Sequence, residues 1–267
     1  MNHVTVITLT RRRPLLVQRA IRSVQAQKTQ YALNHLVLID DCPETLAVLE
    51  PLGPSWSNLE IIYMPREPHE VSGPGRSSRL RNIGVQRAVG NWIAFLDDDN
   101  EWLEDHIESL VTCALANQAR AVHCQVRLLN PDGTPYLEPR WPWAQSKVEA
   151  ERMYWEYVEK GVCIPGSNIL GLLRDRTNPI EPSADTSAWL LARRLLLEVP
   201  FEEYFSESDA RDFVGEDDKL LMALVKRREP IGCTRQATLK YYLGGYSNNP
   251  SGVVDASFSW ATKGESE

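Results

Sequence analysis

Apolar residues in the first hundred positions of the chain follow two alternating spacings. Short β-branched runs predict strands, and the stretches between them repeat apolar residues at helical spacing. The predicted strands are Val4–Leu9, His35–Ile39, Leu59–Tyr63 and Trp92–Leu96. The predicted helices are Leu16–Ala26, with Pro14 in its first turn, and Ser77–Val89, with Gly90 as its C-cap. This alternation predicts an α/β protein with a single mixed, mainly parallel sheet flanked by helices.

The second half of the chain has a weaker pattern. A helix over Leu103–Ala116 and a strand over Ala121–Leu129 are predicted before a turn at Asn130–Gly133. The later predicted elements are a helix near Lys147–Val158, a strand at Ala188–Ala192, a helix that begins at Glu216–Asp218 and a strand at Thr238–Tyr242. For Trp141, Trp143 and Trp155 we expect packing in the core, with stacking on sugar rings as the alternative.

Three consecutive carboxylates, Asp97, Asp98 and Asp99, follow the fourth predicted strand. Because like charges repel and raise one another's pKa, such a cluster is costly without a counter-ion. Mg²⁺ and Mn²⁺ prefer oxygen ligands and are often held by one or two carboxylates together with substrate phosphates. The cluster therefore indicates a cation site. The alternative is that Asp99 or Asn100 caps the helix beginning near Leu103, while the other acids are solvated.

Polar side chains also end the neighbouring strands. Thr8 and Thr10 end the first strand, and Asp40 and Asp41 end the second. Ligands of parallel sheets bind outside the carboxyl ends of the strands, so we expect these side chains to lie at the same edge as Asp97–Asp99. No GxGxxG follows the first strand and no GxxxxGK[ST] occurs, which disfavours a Rossmann dinucleotide site and a P-loop.

Two groups of arginines and a second acidic group accompany these strand ends. The basic run Arg11–Arg13 either lies in a solvated loop or attracts a phosphate-bearing ligand. A predicted helix begins with Arg76, Arg79 and Arg81. Positive charge at a helix N-terminus opposes the helix dipole, so these arginines suggest a bound anion such as a pyrophosphate. The acids Glu216–Asp218 either stabilise the first turn of a helix through its dipole or include a general base.

Composition narrows the class of protein. The net charge of −7 and the pI of about 5.4 argue against a nucleic-acid partner. The sequence has no apolar run of about eighteen residues, which predicts no membrane span, and its N-terminal charges follow the apolar stretch, unlike those of a secretory signal. The 5 cysteines lack CxxC spacing, which argues against a disulfide framework or a zinc site. We expect a cytoplasmic protein and leave homodimerisation open.

The chain resembles the family 2 glycosyltransferases, which have the GT-A fold. Four segments carry the resemblance: VTVITLTRRRPLLVQRAIRSVQAQ, HLVLIDDCPE, RLRNIGVQRAVGNWIAFLDDDNEWLEDHI and GEDDKLLMAL. The third is the most specific, because it combines an Arg-Asn-x-Gly helix, an apolar strand and an acidic DXD motif at the family's spacing. The resemblance implies a GT-A domain over 1–247, in which 1–117 bind the nucleotide sugar and 118–247 form a smaller acceptor and catalytic-base region. Residues 248–267 would form a flexible tail.

The resemblance also implies roles for individual residues. Asp217 would be the catalytic base, and Asp99 with Asp97 would bind Mn²⁺ or Mg²⁺. The residues implied to bind the nucleotide sugar are Thr8, Thr10, Arg11, Asp41, Arg76, Arg81, Asp97 and Asp98. Arg11-Arg12 and Cys42-Pro43 depart from the family's usual residues near the base pocket, which leaves the nucleobase open.

The implied activity is metal-assisted transfer of a sugar, with inversion, from a UDP-, GDP- or dTDP-sugar to the hydroxyl of a saccharide or another acceptor. Asp217 would take the proton of that hydroxyl. Two alternatives stay open at this point. One is a retaining glycosyltransferase or a nucleotidyltransferase on the same site, and the other is a non-catalytic subunit that binds a nucleotide sugar.

Overall fold

The computed structural model describes residues 3–67, 70, 73–144, 146–171, 185–212 and 214–245. Its strands are β1 His3–Thr10, β2 Ala32–Asp40, β3 Leu59–Met64, β4 Trp92–Phe95, β5 Glu101–Trp102, β6 Ala121–Leu129, β7 Ile169–Leu170, β8 Trp189–Ala192 and β9 Ile231–Tyr242. Its helices are α1 Pro14–Gln25, α2 Pro43–Leu49, α3 Pro74–Arg87, α4 His106–Asn117, α5 Lys147–Glu159, α6 Arg193–Glu198, α7 Glu207–Arg211 and α8 Glu216–Lys226. Short 3-10 helices cover Glu50–Ser55 and Thr186–Ala188. The predicted tail, 248–267, lies outside the described residues.

The described strands form one sheet in the order β3-β2-β1-β4-β8-β6-β9-β5, with β7 beside β6. The first four strands in this order are parallel, and β8 joins β4 and β6 by antiparallel pairing. β6 and β9 are again parallel to each other. The predicted α/β fold with a mixed, mainly parallel sheet is confirmed.

Helices cover both faces of this sheet, so its central strands are buried on both sides. On one face, Val4 and Ala94 pack with residues of α1, α4 and α5. On the other face, Ile7 and Phe95 pack with residues of α3, α6 and α8. Alternate residues of the same strand therefore serve two apolar layers, which explains why the strands read as continuous apolar runs. Among the described residues, no helix has the length and apolar character needed to cross a bilayer.

The tryptophan-rich segment belongs mainly to the core. The Trp141 ring lies 4.4 Å from the Tyr157 ring, and the Trp143 ring lies 5.4 Å from the Tyr241 ring. Both tryptophans are partly buried against the main apolar cluster, as we expected. Trp155 differs, because 54% of it is exposed.

Among the predicted boundaries that differ from the structure, two have a clear structural cause. The C-cap assignment of Gly90 is wrong, because α3 ends at Arg87 and its cap is Ala88. The last strand begins at Ile231 rather than Thr238. Its first part was missed because Arg235 has a left-handed φ of 56° and the pairing with β6 shifts register nearby, which interrupts the apolar alternation.

Gly90 is required by a close approach of β1. A Cβ at this position would lie 2.6 Å from the carbonyl oxygen of His3 and 2.8 Å from the backbone nitrogen of Thr5. Backbone atoms of a central strand cannot move away easily. The absence of a side chain at Gly90 therefore lets the chain pass from the end of α3 directly into β4.

We predict that Gly90→Ala lowers the free energy of unfolding by about 1–3 kcal/mol through overpacking. Urea unfolding followed by circular dichroism measures this change. Gly53→Ala is the control, because its Cβ would meet only Ile61 Cδ1 at 3.9 Å. Equal stability of the two variants would contradict the steric explanation.

Candidate active site

The centre of the candidate site lies where β1 and β4 end side by side. From β1 the chain passes to β2 on one side, while β4 pairs on the other side, so the strand order reverses here. Such a switch point opens a crevice outside the carboxyl ends of the strands. Thr10 lies at this edge, and its hydroxyl donates to Asp98 Oδ2 over 2.8 Å. Thr8 is fully buried and hydrogen-bonded to His35, so its side chain lies inside the fold.

Each of the three carboxylates after β4 is paired with an arginine. Asp97 Oδ1 lies 3.0 Å from Arg81 Nη2. Arg13 Nη1 lies 3.1 Å from Asp98 Oδ1 and 2.7 Å from Asp99 Oδ2. Burial, and then the charge of Asp99, raises the pKa of Asp98 to about 7, although Arg13 acts in the opposite direction. The corner therefore concentrates negative charge where solvation is poor, and arginines offset it.

The capping alternative for this corner is wrong. α4 begins at His106, with Asp105 as its N-cap residue. Asn100 is buried and accepts a hydrogen bond from the Tyr242 backbone N–H over 3.1 Å. The three carboxylates therefore stand on a turn between β4 and β5, and none of them serves the helix that follows.

The three acids at the start of α8 have different partners. Asp218 Oδ2 accepts a hydrogen bond from the Gly215 N–H over 2.9 Å and so closes the helix start. Glu216 forms an ion pair with Arg81. Asp217 Oδ1 accepts from the Asp218 N–H over 3.0 Å. Asp218 thus closes the start of α8, so the presence of Asp217 at this position has a different reason.

Arg81 connects α8 with the corner after β4. Its guanidinium is buried and pairs with both Asp97 and Glu216. Burial, and then the charges of the adjacent Asp218 and Glu216, raise the pKa of Asp217 well above its usual value. Asp185 adds to the shift, and Arg81 opposes it. Two acidic groups from distant parts of the chain therefore meet in one cleft.

Asp185 belongs to the same cleft, although no sequence motif marks it. It begins the 3-10 helix Thr186–Ala188 and accepts a hydrogen bond from the Ser187 N–H over 2.8 Å. Ser187 Oγ accepts in turn from the Asp97 N–H over 3.0 Å. Burial, and then the charge of Asp97, with a smaller effect of Asp99, raises the pKa of Asp185 to about 7. The only signal in the sequence is an acid and two hydroxyl residues directly before a buried strand.

The end of β2 lies beside a separate arginine cluster. Asp40 Oδ1 lies 2.9 Å from Arg76 Nε, and Arg66 and Arg11 also face this carboxylate. Arg76 additionally donates to Glu70, to the carbonyl of Met64 at the end of β3 and to the carbonyl of Pro65 in the loop that follows. Arg76 therefore ties that loop to β2, a separate location from the three carboxylates after β4.

Asp41 follows β2 in a left-handed conformation with φ of 46°. Its Oδ1 accepts a hydrogen bond from the Tyr63 hydroxyl over 2.9 Å. Its backbone N–H donates to the carbonyls of Ile39 and Met64. Asp41 is thus fixed at the edge of the sheet, on the β2 side of the crevice.

The sequence profile of glycosyl transferase family 2 matches residues 5–170. This match covers more than half of the chain. The chain belongs to glycosyl transferase family 2.

Curated relatives are similar over part of their length. The putative teichuronic acid biosynthesis glycosyltransferase TuaG of Bacillus subtilis is 26% identical over 102 residues, which cover 38% of this chain and 38% of TuaG. The putative colanic acid biosynthesis glycosyl transferase WcaA of Escherichia coli is 26% identical over 149 residues, 53% of this chain and 50% of WcaA. The succinoglycan biosynthesis protein ExoW of Rhizobium meliloti is 33% identical over 102 residues, 38% of this chain and 30% of ExoW. The matches therefore span half or less of these relatives.

Solved structures show the same fold. The crystal structure of S. aureus TarS 1-349 has a TM-score of 0.59 at 16% identity and covers 90% of this chain and 60% of that one. TarS 1-349 in complex with UDP-GlcNAc also has a TM-score of 0.59, at 15% identity, and covers 94% of this chain and 62% of that one. The GT-A fold expected from the resemblance is confirmed.

The acids after β4 have the oxygen donors that a divalent cation prefers. In the part of the chain that the structure describes, no group of three or more His, Cys, Asp or Glu residues has the arrangement of a complete metal site. Mg²⁺ and Mn²⁺ usually need only one or two carboxylates, because substrate phosphates supply further oxygens. Asp97 and Asp99 provide such oxygens, and the raised pKa values of Asp185 and Asp99 show that positive charge is favourable beside them.

We predict that Asp185→Asn stabilises the ligand-free protein more at high pH than at low pH. The pKa of Asp185 is raised on folding, so its contribution to stability is present below the unfolded pKa and is lost as the pH rises toward about 7. The amide cannot ionise, and it keeps the helix-start hydrogen bond. The expected gain is about 1–3 kcal/mol near pH 8 and close to zero near pH 4.

Urea unfolding at the two pH values measures this difference. Asp132→Asn is the matched control, because Asp132 is exposed and hydrogen bonds from Thr134 lower its pKa. A gain for Asp185→Asn that is the same at both pH values would contradict an electrostatic origin.

Proposed function

We propose that this protein transfers a sugar from a nucleoside-diphosphate sugar to an acceptor hydroxyl, with inversion at the anomeric carbon. Membership in glycosyl transferase family 2 supports the reaction class. The observation that carries the proposal is the buried Arg81, which pairs with Asp97 on the donor side and Glu216 on the side of Asp217. The donor nucleotide, beside Asp97, and the carboxylate base, Asp217, would then share one cleft.

The donor would occupy the crevice at the ends of β1, β2 and β4. Asp41 and Arg11 would line its β2 side, next to the nucleobase, and Thr10 with Asp97–Asp99 would line its β4 side. The complex of TarS with UDP-GlcNAc supports a nucleotide sugar as the ligand class. The relatives named for teichuronic acid, colanic acid and succinoglycan biosynthesis support a saccharide acceptor and a role in polysaccharide assembly. The 5 free cysteines are consistent with a reducing compartment such as the cytoplasm.

Asp217 would serve as the general base. As the acceptor oxygen bonds to the anomeric carbon, the bond from that carbon to the diphosphate oxygen breaks, and the diphosphate leaves with the electron pair. The acceptor proton passes to Asp217. Burial and neighbouring acids raise its pKa, which makes the ionised carboxylate a stronger base than an ordinary aspartate. Glu216, held by Arg81, positions the helix start from which Asp217 projects.

Asp97 and Asp99 would hold a Mn²⁺ or Mg²⁺ ion. A bound ion would neutralise the negative charge that develops on the departing diphosphate. Arg81 keeps Asp97 oriented through its ion pair. Only one catalytic carboxylate is required, because a diphosphate leaves without being protonated.

We predict that Asp217→Asn lowers the rate of sugar transfer by about 10²–10⁴-fold, since the amide cannot accept the acceptor's proton. Binding of UDP should change little, because the base would act on the acceptor hydroxyl and not on the nucleotide. A coupled assay of nucleotide release gives the rate, and calorimetry gives the UDP affinity.

Asp218→Asn is the matched control for this prediction. It makes the same charge change at the next residue, and the amide still accepts the hydrogen bond from the Gly215 N–H. We expect transfer within a few-fold of the unmodified protein. Equal rates for the Asp217→Asn and Asp218→Asn variants would remove Asp217 from the role of base.

We also predict that UDP raises the melting temperature of the protein more strongly with Mn²⁺ present than without it. Binding to the native state alone raises the melting temperature by linkage. Asp99→Asn should remove the contribution of Mn²⁺. A parallel series with GDP, dTDP and CDP identifies the base, and an Mn²⁺ contribution that persists in the Asp99→Asn variant would contradict a metal role for Asp99.

A further inference from the structure

Arg13 lies beside the three carboxylates after β4, and the proposed mechanism gives this arginine no role. It precedes α1 and is about four-fifths buried, with 19% of its side chain exposed. Its Nη1 atom contacts Asp99 Oδ2 at 2.7 Å and Asp98 Oδ1 at 3.1 Å. The turn at Arg12, with φ of 55°, and the start of α1 at Pro14 bring this side chain over the end of β4.

The position of Arg13 is unfavourable for the helix that follows it. α1 has no acidic residue in its first turn, and a cation at a helix N-terminus opposes the helix dipole. The two carboxylates compensate for this cost in the ligand-free protein. The same position would suit Arg13 if a strongly anionic ligand lay at the start of the helix.

The acidic corner is held in place by contacts other than those of Arg13. Thr10 donates to Asp98, and Arg19 donates to the backbone carbonyl of Asp99. Arg19 also pairs with Glu101 over 3.0 Å. Arg13 therefore contributes charge to the corner rather than its shape.

A divalent cation would compete directly with Arg13 at Asp99. Both are positively charged, both seek the same carboxylate oxygen, and their mutual repulsion is strong in a poorly solvated site. A diphosphate that enters with the cation offers Arg13 a more highly charged partner, with oxygen atoms that match the planar guanidinium.

We propose that Arg13 is an exchangeable counter-ion: it neutralises Asp98 and Asp99 before the donor binds, releases Asp99 to the entering cation, and then binds the diphosphate. This inference rests on the proposed function, because it takes the corner after β4 as the metal and diphosphate site. It makes Arg13 a donor-binding residue in the complex and an inhibitor of cation binding in the free protein.

The test compares Arg13→Gln with the unmodified protein in two binding measurements. The first is binding of Mn²⁺ alone, measured by electron paramagnetic resonance of the free ion. Removing the competing charge should make Mn²⁺ bind about tenfold more tightly. The second is binding of UDP at saturating Mn²⁺, where loss of the guanidinium should weaken the affinity about tenfold. A purely structural role of Arg13 would not produce tighter Mn²⁺ binding together with weaker UDP binding.

Arg22→Gln is the matched control, because Arg22 is an exposed arginine of the same helix whose described hydrogen bond is to Gln18. It should leave both affinities unchanged. Arg13→Lys provides a second variant that keeps the charge in case Arg13→Gln does not fold. A single ammonium cannot reproduce the forked guanidinium, so UDP should bind more weakly to it than to the unmodified protein.

Unchanged or weaker Mn²⁺ binding by Arg13→Gln would overturn the counter-ion role. Tighter Mn²⁺ binding with unchanged UDP affinity would overturn the exchange to the diphosphate, as would unchanged UDP affinity in Arg13→Lys. Failure of the proposed function has a different signature. In that case the unmodified protein itself would bind none of UDP, GDP, dTDP and CDP, whatever Arg13 does to Mn²⁺.

Discussion

The crowding of carboxylates in one poorly solvated cleft is the constraint on which the rest of the site depends. Asp97, Asp98 and Asp99 lie on a single turn. Asp185 approaches them from another element, and its charge in turn acts on Asp217 of α8. Such a group is costly, because burial and mutual repulsion both disfavour the ionised form. The protein offsets this cost with arginines from several elements instead of distributing the acids over its surface.

The fold explains how these groups meet. Parallel pairing of β1 with β2 and β4 opens the crevice in which the first three acids lie. Antiparallel insertion of β8 beside β4 brings Asp185 to the same edge, since the residues before β8 then lie next to the end of β4. α8 packs on the face that also carries α3, and Arg81 of α3 joins the two. The turn after β4 and the start of α8 are thus connected through a buried ion-pair bridge.

The sequence was informative where a residue's role depends on local pattern. The strands, most helices and the edge at which Asp97–Asp99 lie follow from apolar spacing and from the rule for parallel sheets. The sequence was uninformative where the role depends on long-range pairing. Asp185 carries no motif, and its importance arises only when β8 pairs antiparallel with β4.

Arginine partners could not be predicted for the same reason. Arg76 and Arg81 are five residues apart on one helix, yet one pairs with Asp40 and the other with Asp97 and Glu216. Arg13 belongs to a basic run for which a solvated loop was the favoured interpretation. Gly90 shows a related limit, because a glycine after a helix resembles a cap whether its purpose is a local turn or a distant close approach.

A crystal structure of the protein with UDP and Mn²⁺ tests the central claim most directly. The account predicts anomalous density for Mn²⁺ between Asp99 and the diphosphate, with Arg81 still joining Asp97 to Glu216 and with Asp217 facing open space beside the diphosphate. Nucleotide density away from the ends of β1 and β4, or an Asp217 carboxylate separated from the diphosphate by packed side chains, would contradict it.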